Sequence, residues 1–313
     1  MADLSKHEIA AIIPCYNEEV AIPRVIADLK RAVPGIKVYV YDNNSSDDTS
    51  RVAAEAGAIV RFEPRKGKGN MVRRAFADIE ADIYLMIDGD DTYDASAAPG
   101  MINTLIEENL DHVLGCRADN KEDSAYRPGH AQGNAMFNRL VSWLFKDRVS
   151  DMLSGYRVFS RRFVKAFPAL SKEFEIETEL TVFSMALRVP QKEVSVGFKD
   201  RPAGSDSKLR TFRDGFHILG TVVRLLAHER PWLFYGFISC VLFLLSLILG
   251  IPVIWEFAKT GLVPRLPTAV LASSLVLIGV LSLVVATLQA GLLRARQEAM
   301  RLSYLRIPGI EQR

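Results

Sequence analysis

The chain has 313 residues, a formal net charge of +2 and 49% hydrophobic residues. That length holds one large domain or two ordinary ones, and so even a charge balance carries no nucleic-acid footprint. Three scattered cysteines, Cys15, Cys116 and Cys240, exclude a disulfide framework and fit a reducing compartment.

The first two hundred residues alternate in type. Residues 8–13, 36–41, 58–61, 83–87 and 112–115 read as strands, short apolar runs bounded by turn residues. Residues 18–31, 48–56, 68–79 and 98–108 read as the helices between them. Segments 157–160 and 193–198 add two strands, with a helix over 177–187. This alternation predicts an α/β fold whose mostly parallel sheet is covered by helices. Lys6, His7 and Glu8 precede a short strand rather than a long apolar core, so no signal peptide is expected.

Two amphipathic helices follow. Over 134–148, Met136, Phe137, Leu140, Val141 and Leu144 share one side. Over 208–227 the stripe is Leu209, Phe212, Phe216, Leu219, Val223 and Leu226, with Arg210, Arg213 and Arg224 opposite. Both patterns fit a helix packed on a core or one lying in a membrane interface, where basic side chains meet anionic lipid. The second runs straight into an apolar stretch, which favours the interface.

Residues 232–255 and 266–293 contain no charged side chain. Each run exceeds the ~20 residues that cross a ~30 Å hydrocarbon core as helix. The stretch between them, 256–265, carries Glu256, Lys259 and Arg265, so a helical hairpin is expected. Arg224 and Arg230 precede it, and Arg294, Arg296, Arg301 and Arg306 follow. The positive-inside rule then puts both termini and the soluble part on the cytoplasmic side of the cell's inner membrane. The hairpin also offers lateral surface for self-association into a homo-oligomer.

Chemistry-bearing residues cluster after the strands. Asp88-Gly89-Asp90 directly follows the apolar run 83–87. In extended backbone, carboxylates at i and i+2 point the same way, and a glycine between them lets a ligand come close. Such a pair suits a hard divalent cation that in turn holds a diphosphate; an acidic surface turn is the plainer alternative. Pro14-Cys15-Tyr16-Asn17-Glu18-Glu19 follows the first strand. Asp42-Asn43-Asn44-Ser45-Ser46-Asp47-Asp48 follows the second, where Asn and Asp also serve simply as caps and turns. Both open at the edge where α/β sheets bind ligands. Arg65-Lys66-Gly67-Lys68-Gly69 is too short for a P-loop, yet its glycines let basic groups approach a phosphate.

This order of motifs resembles glycosyltransferase family 2 with the GT-A fold. The resemblance continues through Val113-Leu114-Gly115-Cys116-Arg117, Asp151-Met152-Leu153-Ser154-Gly155-Tyr156-Arg157 and Arg201-Pro202-Ala203-Gly204-Ser205-Asp206-Ser207-Lys208. With the terminal hairpin it looks like the polyprenyl-phosphate glycosyltransferase branch, relatives of dolichyl-phosphate mannose and glucose synthases. It implies a GT-A domain over 1–207, an amphipathic juxtamembrane helix over 208–230, two transmembrane helices within 231–293 and a basic cytoplasmic tail over 294–313. It implies that Pro14, Tyr16 and Glu18 line the nucleotide pocket, that Asp42 and Asn43 reach the base, and that Lys68 and Gly89 also meet the donor. Asp88 and Asp90 would hold Mg²⁺ or Mn²⁺ against the diphosphate. Arg117, Arg201 and Lys208 would contact the phosphates and, with Asp90, carry catalysis; Arg127 and His130 are further candidates for the acceptor phosphate, and Arg157 is either that or a structural contact.

The implied reaction is inverting transfer from a nucleotide sugar to polyprenyl phosphate. A phosphate monoester, with its second pKa near ~6, is already largely a dianion and needs no general base. Many relatives carry Asp-Asp where this chain has Asp42-Asn43. An amide matches the N–H and C=O of uracil, which favours a UDP-sugar over a GDP-sugar. Where some relatives add a Gln as metal ligand, this chain has Asp91-Thr92-Tyr93, so the third ligand is unassigned. Glu175, Glu177 and Glu179 invite a base or sugar-hydroxyl reading, but their spacing reads as a solvated face. A processive polysaccharide synthase would need more spans and a Gln-x-x-Arg-Trp motif. Transfer to a lipid hydroxyl would need a base, and a membrane-anchored binding protein is the non-enzymatic alternative.

Overall fold

The computed structural model describes residues 3–117, 150–170, 176–199, 223 and 226–310. The chain forms two compact units, Met1–Leu209 with Ala299–Arg313, and Arg210–Glu298. The helix expected over 134–148 lies outside the described residues, as does nearly all of 208–227.

The first unit contains β1 (Ile9–Cys15), α1 (Ile22–Ala32), β2 (Lys37–Asp42), α2 (Thr49–Glu55), β3 (Ile59–Phe62), α3 (Lys68–Asp78), β4 (Ile83–Met86), α4 (Ala98–Glu107) and β5 (His112–Arg117). It continues with β6 (Arg157–Ser160), α5 (Arg161–Ala166), α6 (Ile176–Leu187) and β7 (Gln191–Val196). Seven strands make one sheet in the order β3-β2-β1-β4-β6-β5-β7. Only β6 is antiparallel to its neighbours. The central strands β1 and β4 read as unbroken buried runs because helices cover both faces. Ile9, Ala11, Ile13 and Cys15 of β1 meet Ile22, Ile26 and Leu29 of α1 and Met101 and Leu105 of α4 on one face. Ala10 and Ile12 meet Val72 and Phe76 of α3, Phe163 of α5 and Phe183 of α6 on the other.

Two boundaries differ from the sequence reading. Strand β1 runs on to Cys15, with Pro14 paired to Tyr41 of β2. Two residues earlier, the Ile12 carbonyl accepts from Ile87 N at 3.2 Å. Pro14 therefore faces the same side just beyond the end of β4, where its missing N–H costs no ladder bond. Helix α1 starts at Ile22, not at 18, with a proline in its first turn, a position that presets helical φ.

The residues expected to form a basic tail do not stand alone. Helix α8 (Leu266–Leu305) continues past the apolar run, and from Ala299 onward it belongs to the first unit. Tyr304 is buried and its hydroxyl donates to Asp111 Oδ2. Arg162 stacks over the Tyr304 ring at 4.4 Å and reaches Asp111 with Nη2 at 2.6 Å and Nε at 3.1 Å. Ser160 Oγ completes the set at 2.6 Å. Asp111 precedes β5, so this cluster sits at the amino edge of the sheet.

The second unit holds α7 (Pro231–Thr260) and the first part of α8. Both helices are long and apolar enough to cross a membrane. Helix α7 reaches Thr260, so Glu256 and Lys259 lie on it rather than in the connection, which is only 261–265. Gly261, at φ +67°, ends it by returning its N–H to Phe257 O at 2.8 Å, a left-handed cap. Between the helices, Ser239 Oγ donates to Gly279 O and Ser246 Oγ to Ala272 O, each at 2.9 Å. A Cβ on Gly279 would stand 3.1 Å from the Phe243 ring, so the glycine allows close approach. The outward hydroxyls of Ser273, Ser274, Ser282 and Thr287 bond carbonyls one turn back on their own helix. That satisfies each hydroxyl within its own helix, as a span through hydrocarbon would require.

Replacing Tyr304 by Phe removes one hydrogen bond to a buried carboxylate. It is expected to destabilise the first unit by about 1.5–3 kcal/mol, read as a lower denaturant midpoint at unchanged slope.

Candidate functional site

The carboxyl ends of β1, β2 and β4 open onto one edge of the sheet, and the loops there are bonded to each other. Asn17, at φ +54°, donates its N–H to Ser45 Oγ at 2.9 Å and accepts from Ser46 N at 2.8 Å. Glu18 N donates to Thr49 Oγ1 at 2.8 Å, and Asp48 N to the Glu19 carboxylate at 2.9 Å. Pro14 and Glu18 are buried beneath this seam, and Tyr16 is exposed at its rim.

The two residues expected to read the base are turned inward. Asp42 accepts from Ser45 N at 3.0 Å and Ser50 Oγ at 2.5 Å, one bond on each oxygen. Asn43 donates from Nδ2 to Glu63 O and Arg65 O, both at 2.8 Å, and accepts from Gly67 N at 2.6 Å. Both amide hydrogens and the amide oxygen are thus spent on the loop that follows β3. Asn43 positions the Arg65–Gly69 turn, and its amide hydrogens are not left to meet a uracil.

That turn delivers Lys68, the first residue of α3, into the interior. Its Nζ lies 2.5 Å from Asp88 Oδ1 and 2.5 Å from Glu177 Oε1. Burial opposes the charge, but the two carboxylates outweigh it and hold the ammonium above the ordinary lysine range. Glu177, read as part of a solvated face, is 4% exposed. Its other oxygen, Oε2, has no hydrogen-bond partner. The signal that would have found it is the polar row Glu177, Thr181 and Ser184 on α6. Its i, i+4, i+7 spacing sets a second buried face beside the apolar one.

Asp90 does not lie in extended backbone. Strand β4 stops at Met86, and Gly89 and Asp90 form a turn. Gly89 leaves room for the core rather than for a ligand. A Cβ there would stand 2.6 Å from Cys15 Sγ and 3.3 Å from Ile13. Asp90 is buried and accepts from Thr92 N at 3.2 Å and Thr92 Oγ1 at 2.7 Å. Asp91 follows at φ +57°, a left-handed conformation that Asp tolerates, and pairs with Lys199 at 2.7 Å. The Asp88 carboxylate rests against Gly155, where a Cβ would come within 2.6 Å of Cγ. Tyr93 fixes that contact, accepting from Gly155 N at 3.0 Å. Burial, helped by Asp88, raises the Tyr93 phenol to about 12, so it stays neutral.

Arg117, at the end of β5, is held by Asp151 through two 2.7 Å bonds; Asp151 escaped the sequence reading as a partner. Arg157 is fully buried and ties down Ser154 O, Met152 O and Thr181 Oγ1 at 2.9, 2.7 and 2.9 Å. It is a structural contact under the 151–155 loop. Arg127, His130, Glu175, Arg201 and Lys208 lie outside the described residues.

The oxygens present suit one kind of metal. Asp88 and Asp90 leave a single turn, and no group of three His, Cys, Asp or Glu gathers among the described residues. Mg²⁺ and Mn²⁺ take one or two carboxylates and complete their shell with water and phosphate oxygens, so the pair fits them. A closed site of the zinc type requires more.

Comparison with known proteins agrees with this architecture. The family model "Glycosyl transferase family 2" matches residues 10–167. The glycosyltransferase AglJ of Haloferax volcanii is 32% identical over 94% of this chain and 96% of its own length. A dolichyl-phosphate hexose transferase of the same organism is 28% identical over 74% of this chain and 99% of its own. Glucosyl-3-phosphoglycerate synthase of Mycobacterium tuberculosis was crystallised with Mn²⁺, UDP and glucosyl-3-phosphoglycerate. It has the same fold at a TM-score of 0.59 and 21% identity, covering 72% of this chain and 80% of that one.

Gly155→Ala should push the Asp88 carboxylate out of place without breaking the ladder between β4 and β6. Nucleotide-sugar affinity in the presence of Mn²⁺, measured by calorimetry, is expected to fall roughly 10–100-fold, with the circular dichroism spectrum unchanged.

Proposed function

Because the chain belongs to glycosyl transferase family 2, we propose that it moves a hexose from a UDP-sugar to a polyprenyl phosphate held in the bilayer. The observation that carries this reading is the Asp88-Gly89-Asp90 turn at the carboxyl edge, with Lys68 beside it, in a chain that also carries two helices apolar enough to span a membrane. The similarity to a dolichyl-phosphate hexose transferase over most of the chain supports the lipid acceptor. With the Asn43 amide spent on its own loop, UDP rests on the complexes of the structurally similar synthase.

In this reading Asp88 and Asp90 hold a divalent cation. Such an ion, when bound, neutralises the leaving diphosphate as a Lewis acid. Lys68 contributes a positive charge beside the same turn, where it stabilises developing negative charge. Arg117, held by Asp151, is by resemblance a contact for a phosphate. By resemblance, Arg201, Lys208, Arg127 and His130 bind the acceptor phosphate. The dianionic acceptor attacks the anomeric carbon from the face opposite the leaving group, which inverts that centre. No residue is required to remove a proton.

The acceptor's tail sets where the reaction occurs. Each CH₂ drawn out of the bilayer costs about 0.8 kcal/mol, so the enzyme comes to the lipid. The apolar helices anchor it, and the flanking arginines favour a cytoplasmic placement of both termini.

Membranes containing the protein, incubated with radiolabelled UDP- and GDP-sugars and extracted with organic solvent, should yield labelled lipid from a UDP-sugar. Label only in water-soluble products, or only from GDP-sugars, overturns the assignment. Asp90→Ala should lower transfer at least about 100-fold, of the order seen when one main charge-stabilising group is lost, while membrane insertion stays intact. Chelation should abolish activity, and Mn²⁺ or Mg²⁺ should restore it.

A further inference from the structure

Lys68 occupies the position that a metal ion bound to Asp88 would contest. Its ammonium is buried, 2.5 Å from the Asp88 oxygen, and equally close to Glu177. Glu177 lies on α6, a different element from the Asp88 turn, and keeps one oxygen buried and unpartnered. Buried acceptors are nearly always satisfied, so an orphan calls for an explanation. Here a second resting place for the ammonium supplies one. A lysine carries its charge on a flexible four-carbon stem, and Lys68 is flanked by Gly67 and Gly69.

We propose that Lys68 is a resident counter-ion for Asp88 that makes metal capture conditional on the donor's diphosphate, with Glu177 as the positioning residue that receives the ammonium when Asp88 turns to the metal. The inference rests on the metal-dependent reading above. Without nucleotide, a divalent ion approaching Asp88 meets a cation already bound to the same oxygen. The diphosphate brings two negative charges, gives the metal further oxygens, and offers the displaced ammonium an anionic neighbour. Glu177 keeps Lys68 at that spot throughout, through Oε1 first and both oxygens afterwards. Metal and donor then enter as a unit, and the free enzyme does not hold the ion in a wasted state.

The test is Mn²⁺ binding, followed by electron paramagnetic resonance of free Mn²⁺, with the full chain in detergent, alone and with UDP or GDP. Wild type should bind Mn²⁺ weakly alone and at least ten times more tightly with nucleotide. Lys68→Met should bind Mn²⁺ alone at least ten times more tightly than wild type. Should that variant misfold around its two unpaired carboxylates, Lys68→Met/Glu177→Gln removes the pair together and carries the same expectation. Glu177→Gln alone keeps the ammonium on Asp88. Its affinity without nucleotide should be no higher than wild type, and its gain with nucleotide should shrink. Unchanged Mn²⁺ affinity in folded Lys68 variants, beside a normal nucleotide-dependent gain in wild type, overturns the counter-ion role alone. Absence of Mn²⁺ binding to wild type under every condition removes the metal reading, and this inference with it.

Discussion

The contact of Lys68 with Asp88 and Glu177 joins three elements at one point. They are the amino end of α3, the turn after β4 and the first turn of α6. An ammonium this deeply buried is tolerable only with carboxylates against it, since a charge removed from water without a partner is costly. The same need runs in reverse: Glu177 could not be buried there without the lysine. The geometry around Asp88 is therefore held by mutual compensation, and few substitutions of its members are neutral.

Around this contact the carboxyl edge is laid out as alternating charge. Arg157 lies fully buried near Glu177 and Asp151, and burial lowers its guanidinium below the usual range although those acids resist the shift. Arg117 is clamped by Asp151, and Asp91 by Lys199. Arg157 and Asp151 also fasten backbone, through Ser154 O, Met152 O and Arg117 N. Such preorganisation suits a reaction in which two anions must meet, because dipoles and charges fixed beforehand need no rearrangement as charge develops. The sheet beneath packs apolar side chains on both faces, and the charged residues Asp42, Arg117 and Arg157 stand at strand ends on the carboxyl edge. All of the chemistry is displaced to the rim.

The central strands were legible because a sheet covered on both faces demands continuous apolar runs, and β1 and β4 supply them; the outer β3 and β7 are more exposed. The aspartate pair after β4 was legible for the same reason, since polar residues directly after such a run sit at the ligand edge. Three readings failed where tertiary contacts override local spacing. Asp90 was taken as extended, but Gly89 and Asp90 turn just after β4. Asn43 looked like a ligand group, yet its partners are backbone atoms twenty and more residues away, which no local pattern announces. Glu177 looked solvated because acidic residues at alternate positions usually are; only Lys68, brought in by α3, makes its burial affordable. The connection between the apolar helices was overestimated because charge alone marked its start, while Gly261 marks the true helix end.

The tie between Tyr304 and Asp111 has a temporal consequence. Asp111, Ser160 and Arg162 are made early, whereas Tyr304 leaves the ribosome only after both apolar helices. Until then the acid cluster at the amino edge lacks its lid, and the first unit is unfinished. Assembly of the soluble body thus reaches completion after the hairpin has been synthesised, and a product cut short before that tyrosine would expose a defect that quality-control proteases can recognise.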